Sequence, residues 1–112
     1  MKSYTLIFYF SAIALSTFGQ NIQQKYFALI IKADSLYRTR KYKESAFEYS
    51  SAFKSEAMKI SAEDRYNAAC SWAMANYSDS AYFQLELIAT KQHFTDIERI
   101  TTDSDLNSLH NN

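Results

Sequence analysis

Five residues of this chain recur in kind at one constant spacing. Ala33, Leu36, Ser45, Tyr49 and Ala52 are echoed 36 positions later by Ala69, Trp72, Ala81, Leu85 and Ile88. Four of the five pairs keep bulk class, small answering small and large answering large, and the fifth sets Ile88 against Ala52 at an apolar position. A period of this size constrains the fold strongly, because a unit of that length is one helical hairpin, which cannot bury its apolar face alone and has to pack on a near copy. The chain is therefore expected to be all-α, with antiparallel helical hairpins stacked side by side.

Composition supports short connections between those hairpins. Of 112 residues one is glycine and none is proline, so extended loops and strained turns have little to be built from. A 47 % hydrophobic and 16 % aromatic content supplies one modest core and no more. Twelve basic residues balance twelve acidic ones, and nothing in that balance draws the chain to nucleic acid or to an anionic surface. The tyrosines near Arg38, Arg40 and Lys43 could form a base-stacking platform, but Tyr42, Tyr49 and Phe53 share one helix face and are better used as core.

The first 19 residues read as a signal peptide and not as part of the domain. Lys2 precedes an apolar run from Leu6 to Leu15, and the small residues Thr17 and Gly19 stand where a signal peptidase cuts, leaving Gln20 as the new terminus. The run is shorter than the ~20 residues that cross a bilayer, so no stable membrane span is expected after cleavage. No cysteine lies near the cut to carry a lipid anchor. The mature chain is expected to be exported, periplasmic or secreted. Cys70 is the only cysteine, which leaves no intramolecular disulfide.

From Gln23 onward helical spacing prevails. Tyr26, Leu29, Ala33 and Leu36 form the apolar face of a first helix, and Tyr42, Ser45, Tyr49, Ala52 and Phe53 that of a second, with the turn near Thr39 to Lys41. Ser61 is placed to cap a third helix through Tyr66, Ala69, Trp72 and Ala75, with Glu63 and Asp64 in its first turn. Asn76 is expected in a left-handed conformation closing it, and Ser78 to cap a fourth helix bearing Ala81, Leu85 and Ile88. Thr95 and Glu98 have the spacing of a capping box for a short fifth helix. Leu106 and Leu109, three apart behind Asp103, predict one further turn that covers the open end with help from Phe94 and Ile97.

With these residues in place, the chain resembles the tetratricopeptide repeat family, whose unit is two antiparallel helices of ~34 residues. Ala68, Ala69, Trp72, Ala81 and Leu85 carry the resemblance in the second unit, and Ala33, Leu36, Ser45 and Tyr49 in the first; Lys32 departs from the expected apolar residue. Arg40 and Asn76 stand where the family has its hairpin glycine. Tyr66 to Cys70, His93 to Asp96 and Asp103 to Leu109 look like the terminal repeat of exported bacterial members, in which the last segment caps the solenoid. The resemblance implies a TPR-like domain over residues 20–112: repeat one at about 25–58, repeat two at about 61–92 and a capping segment at 93–112.

A scaffold of that kind implies a protein or peptide partner. First helices of successive units line a groove, which makes Ile30, Asp34, Tyr37, Arg38, Asn67, Cys70 and Met74 the candidate peptide-binding residues. Ile30 and Asp34 replace the lysine and asparagine with which relatives clamp a terminal carboxylate, while Asn67 matches the asparagine of their second unit. The expected function is a non-catalytic interaction scaffold of the bacterial cell envelope. Alternatives are an accessory domain of a larger exported enzyme or receptor, a homodimer, and a small hydrolase using Cys70 with His93 and Asp96. The one glycine, Gly19, lies in the signal segment and excludes glycine-rich phosphate loops, so no cofactor is expected. No metal is expected either, since His93 and His110 lack a ligand spacing.

Overall fold

The computed structural model describes residues 21–55 and 60–110, and the segment read as an export signal lies outside them. The described residues are all-α, with no strand among them. A first helix, α1, occupies residues 21–38. It is followed by α2 (Tyr42–Lys54), α3 (Ala62–Met74), α4 (Ser78–Lys91) and α5 (Ile97–Thr102). A 3-10 turn, Ser104–Leu106, leads into α6 (Asn107–His110).

Two reversals of direction are made by the same device, one period apart. After α1, the Lys41 amide donates to the Leu36 carbonyl at 2.8 Å and the Arg40 amide to that of Tyr37 at 3.0 Å. After α3, the Tyr77 amide donates to Trp72 at 2.9 Å and the Asn76 amide to Ala73 at 3.0 Å. This nested pair is the Schellman closure, and it requires a left-handed residue at its apex. Arg40 (φ 64°) and Asn76 (φ 66°) supply it, so the glycine places are filled by residues that nonetheless take the glycine conformation. His93 (φ 54°) is a third such residue, at the end of α4.

The contacts across each reversal run antiparallel. Tyr37 meets Tyr42 edge to face, Ser45 Oγ donates to the Ala33 carbonyl at 2.6 Å, and Lys32 pairs with Glu48 at 3.1 Å. Arg65 donates to Gln84 Oε1 at 3.1 Å near the far end of the second pair, and Trp72 meets Tyr77 at its near end. Helix α3 also packs on α2, where Phe47 lies edge to face with Trp72 and the Ser45 and Ser71 hydroxyls sit 3.1 Å apart.

Small residues set these distances. Ala33, Ala46, Ala68, Ala69 and Ala81 are wholly buried, because helix axes approach closely only where the side chains between them are short. Trp72 is 8 % exposed, as its large-residue position in the repeat predicts. Ser45, buried in line with its echo Ala81, satisfies its hydroxyl on the Ala33 carbonyl.

Three local expectations are corrected. Ser78 is the first residue of α4, not its cap; Tyr77 holds the cap position without a side-chain cap bond. Asp96, not Thr95, caps α5, its carboxylate accepting the Arg99 amide at 3.0 Å. Ile97, expected to help cover the open end, is 64 % exposed, whereas Ile100 and Phe94 pack against the core. The expectation for Ser61 holds, with its hydroxyl accepting the Asp64 amide at 3.0 Å.

Candidate functional site

The end of the chain returns to the faces of α1 and α3. Helix α5 starts at its Asp96 cap and brings Arg99 over α3, where the guanidinium carbon lies 4.0 Å from the centre of the Tyr66 ring. Both terminal nitrogens of Arg99 donate to Glu63, at 3.0 and 2.7 Å. This fork holds the Glu63 carboxyl below its usual range.

Asp103 then does two things with one carboxylate. Oδ1 accepts the Asp105 amide at 3.0 Å and so caps the 3-10 turn, while Oδ2 accepts the Tyr66 hydroxyl at 2.7 Å and the Cys70 thiol at 3.9 Å. The turn that follows presents Asp105 to the Tyr37 hydroxyl, which donates to Oδ2. It also carries Leu106 (0 % exposed) and Leu109 (5 % exposed) into the core around Tyr66, Cys70 and Trp72. Ser108 Oγ donates to the Ala73 carbonyl at 3.1 Å and Tyr82 to that of Leu109 at 2.7 Å.

What this leaves is a polar cleft of about 220 Å³, lined by Asp34, Tyr37, Tyr49, Tyr66, Asn67, Cys70, Arg99, Asp103 and Asp105. Of the seven predicted groove residues it gathers four: Asp34 and Tyr37 from α1, Asn67 and Cys70 from α3. Ile30 instead packs with Ala33, Tyr49 and Ala68. Arg38 is outside the lining but pairs along its own helix with Asp34, which is in it, at 2.9 Å, and half-buried Met74 lies outside the cleft lining. Sequence reasoning missed Tyr49, Tyr66, Arg99, Asp103 and Asp105. Tyr66 was legible, since it precedes Cys70 by one helical turn on the face already assigned to the groove.

The protonation of the cleft follows from its surroundings. Burial, then the hydrogen bonds to Asp105 and Asp103, push the phenols of Tyr37 and Tyr66 upward. Tyr49 is pushed up to about 12, chiefly by burial. Burial, followed by the charges of Asp103 and Asp105, pushes the Cys70 thiol up to about 12. Near neutral pH the cleft thus offers protonated hydroxyl and thiol donors, three of which are directed at the carboxyl oxygens of Asp103 and Asp105. A thiol held neutral is a poor nucleophile, and neither His93 nor Asp96 lines the cleft.

Among the described residues one group has donor atoms close enough to consider for a metal ion: Cys70, Asp103 and Asp105, all within 4.8 Å of one another. Neither histidine belongs to it. A cation there would have to strip a proton from the thiol and displace the tyrosine hydroxyls already bonded to both carboxylates.

A second, more open concavity of about 560 Å³ lies between α2 and α4, with Phe53, Ile60, Trp72, Phe83 and Leu87 among its walls. Phe83 is an exposed residue of that surface. No helix among the described residues is long and apolar enough to cross a membrane. Comparison with protein-family models, with curated proteins and with solved structures gives no match to this chain.

Proposed function

We propose that this chain is a non-catalytic protein–protein interaction scaffold of the bacterial cell envelope, exported by its first 19 residues, that holds a peptide segment or helix in a groove between α1 and α3. The reading takes the two hairpins as tetratricopeptide-like repeats and residues 93–112 as their cap. The observation that carries it is the gathering of Asp34, Tyr37, Asn67 and Cys70, from two helices one period apart, into one cleft. Hydroxyl, amide and carboxylate groups on rigid helices suit recognition of a polar backbone and its side chains. The neutral, buried thiol supports a binding role over a hydrolytic one.

A displayed peptide library panned on the full mature chain tests this. Bound peptides are expected to lose affinity on Asn67→Ala and on Asp34→Ala while the helical circular dichroism is kept. Peptides that bind equally well to both variants would move the site elsewhere, and recovery of none would remove the groove reading. Mass spectrometry of the exported protein is expected to find Gln20 at its start.

A further inference from the structure

The wall assigned to a partner is already engaged by the chain's own end. Tyr37 of α1 and Tyr66 and Cys70 of α3 direct three donors at Asp105 and Asp103, across a separation of 68 residues in the Tyr37 pair. Behind these carboxylates, Leu106 and Leu109 are buried, while Ser104 and Asn107 face outward. One short segment therefore has a recognition pattern: two carboxylates two residues apart, an apolar residue directly after the second, and another three residues further on. The wall is complementary, because hydroxyl and thiol hydrogens need acceptors and an ionised carboxylate is acceptor only.

We propose that residues 103–109 are an intramolecular occupant of the face that opens at the α1–α3 groove, their aspartates on Tyr37, Tyr66 and Cys70 and their leucines in the core that α3 shares with α4, and that the partner segment admitted there has the same chemistry, an Asp-x-Asp-apolar-x-x-apolar stretch that binds by displacing it. This rests on the α1–α3 groove being the binding face. A tethered occupant acts at an effective concentration in the millimolar range, so it screens the groove from weak ligands and admits only a segment that matches it better or is itself presented at high local concentration. The apparent affinity of a free segment falls by the fraction of molecules whose groove is open. Arg99, clamped on Glu63 at one end, keeps the hinge end of the segment anchored while 103–109 exchange.

The test uses the full chain and a fluorescein-labelled peptide, Asp-Ser-Asp-Leu-Asn-Ser-Leu, read by fluorescence anisotropy. The full-chain variant Asp103→Asn/Asp105→Asn weakens the tether's own hold. It is expected to bind the labelled peptide at least tenfold more tightly than the unaltered chain does. Adding Tyr37→Phe and Tyr66→Phe to that variant is expected to reverse the gain, and an unlabelled peptide with asparagine at both aspartate positions should compete at least tenfold less well. Hydrogen exchange at the Asp105 and Leu106 amides reports whether the segment has opened. Fast exchange with no gain in binding would overturn the proposal, because the emptied groove would not recognise the segment. Exchange as slow as in the unaltered chain would overturn it as well, since the aspartates would not be what holds the segment. A library peptide that binds the unaltered groove without any acidic residue would leave the groove reading standing and remove this one.

Discussion

The Tyr66 hydroxyl donates to Asp103 Oδ2 at 2.7 Å, joining the middle of the domain to its last turn. The pair spans 37 residues, and the same carboxylate shapes the 3-10 turn through its other oxygen. A double-mutant cycle of Tyr66→Phe and Asp103→Asn is expected to give a coupling of about 1–3 kcal/mol, the range for a hydrogen bond to a charged group at a partly buried site. Additive single effects in denaturant titrations would mean that the bond contributes nothing to stability.

Trp72 touches Phe47 of α2 and Tyr77 at the start of α4, so it ties one hairpin to the other. Trp72→Ala is expected to cost roughly 3–5 kcal/mol, as for removal of a large core aromatic. Chemical denaturation followed by far-ultraviolet circular dichroism checks this, since the chain's one tryptophan, the usual fluorescence reporter, is the residue removed.

Leu106 belongs to the core, not to a solvated tail. Leu106→Ala is expected to destabilise the whole domain by about 2–5 kcal/mol. Deletion of residues 103–112 is expected to lower the melting temperature and cause self-association, visible in sedimentation velocity, because the faces of α3 and α4 that Leu106 and Leu109 cover would be left open. A truncated chain that stays monomeric and melts unchanged would contradict the capping role.

Arg40 occupies a left-handed conformation that costs a residue with a β-carbon roughly 1–2 kcal/mol and glycine little. Arg40→Gly is therefore expected to stabilise the domain by about 1 kcal/mol, and Asn76→Gly by less, because asparagine tolerates this region. A loss of stability at Arg40 would show that its side chain contributes more than its backbone costs.

The alkaline limb of the stability curve has a defined sign. The Cys70 thiol rises from 9.0 to about 12 on folding, and Tyr49 from 10.0 to about 12, with Tyr26, Tyr37 and Tyr66 also raised. The folded chain then holds protons that the unfolded chain releases, so their contribution is fully present below the unfolded values and is lost as pH rises through the folded ones. Melting temperatures are expected to fall from about pH 9 upward, the unfolded thiol leading and the phenols following from about pH 10. Cys70→Ala should delay the onset, which differential scanning fluorimetry across that range would record.

Much of the helical framework is written locally. The 36-residue echo of small and large residues predicts which side chains are buried, and Ala33, Ala69, Ala81 and Trp72 are. Asn76 is legible as a left-handed closure because its conformational tolerance is a property of the residue itself. Cap registers were harder. Thr95 and Asp96 are both competent caps one residue apart, and the choice depends on which oxygen reaches the third free amide, a matter of approach angle.

The helices of the described residues and their hairpin turns are legible in the chain alone, because helix periodicity and turn conformation act over a few residues. The meeting of Asp103 and Asp105 with Tyr66, Cys70 and Tyr37, and the inward turn of Ile100 in place of Ile97, come instead from packing between distant elements. Those outcomes depend on where α5 lands on α3. That position is fixed by Phe94 and the Arg99–Glu63 fork at one end and by two buried leucines at the other, contacts between residues distant in the chain that leave no periodic trace along it.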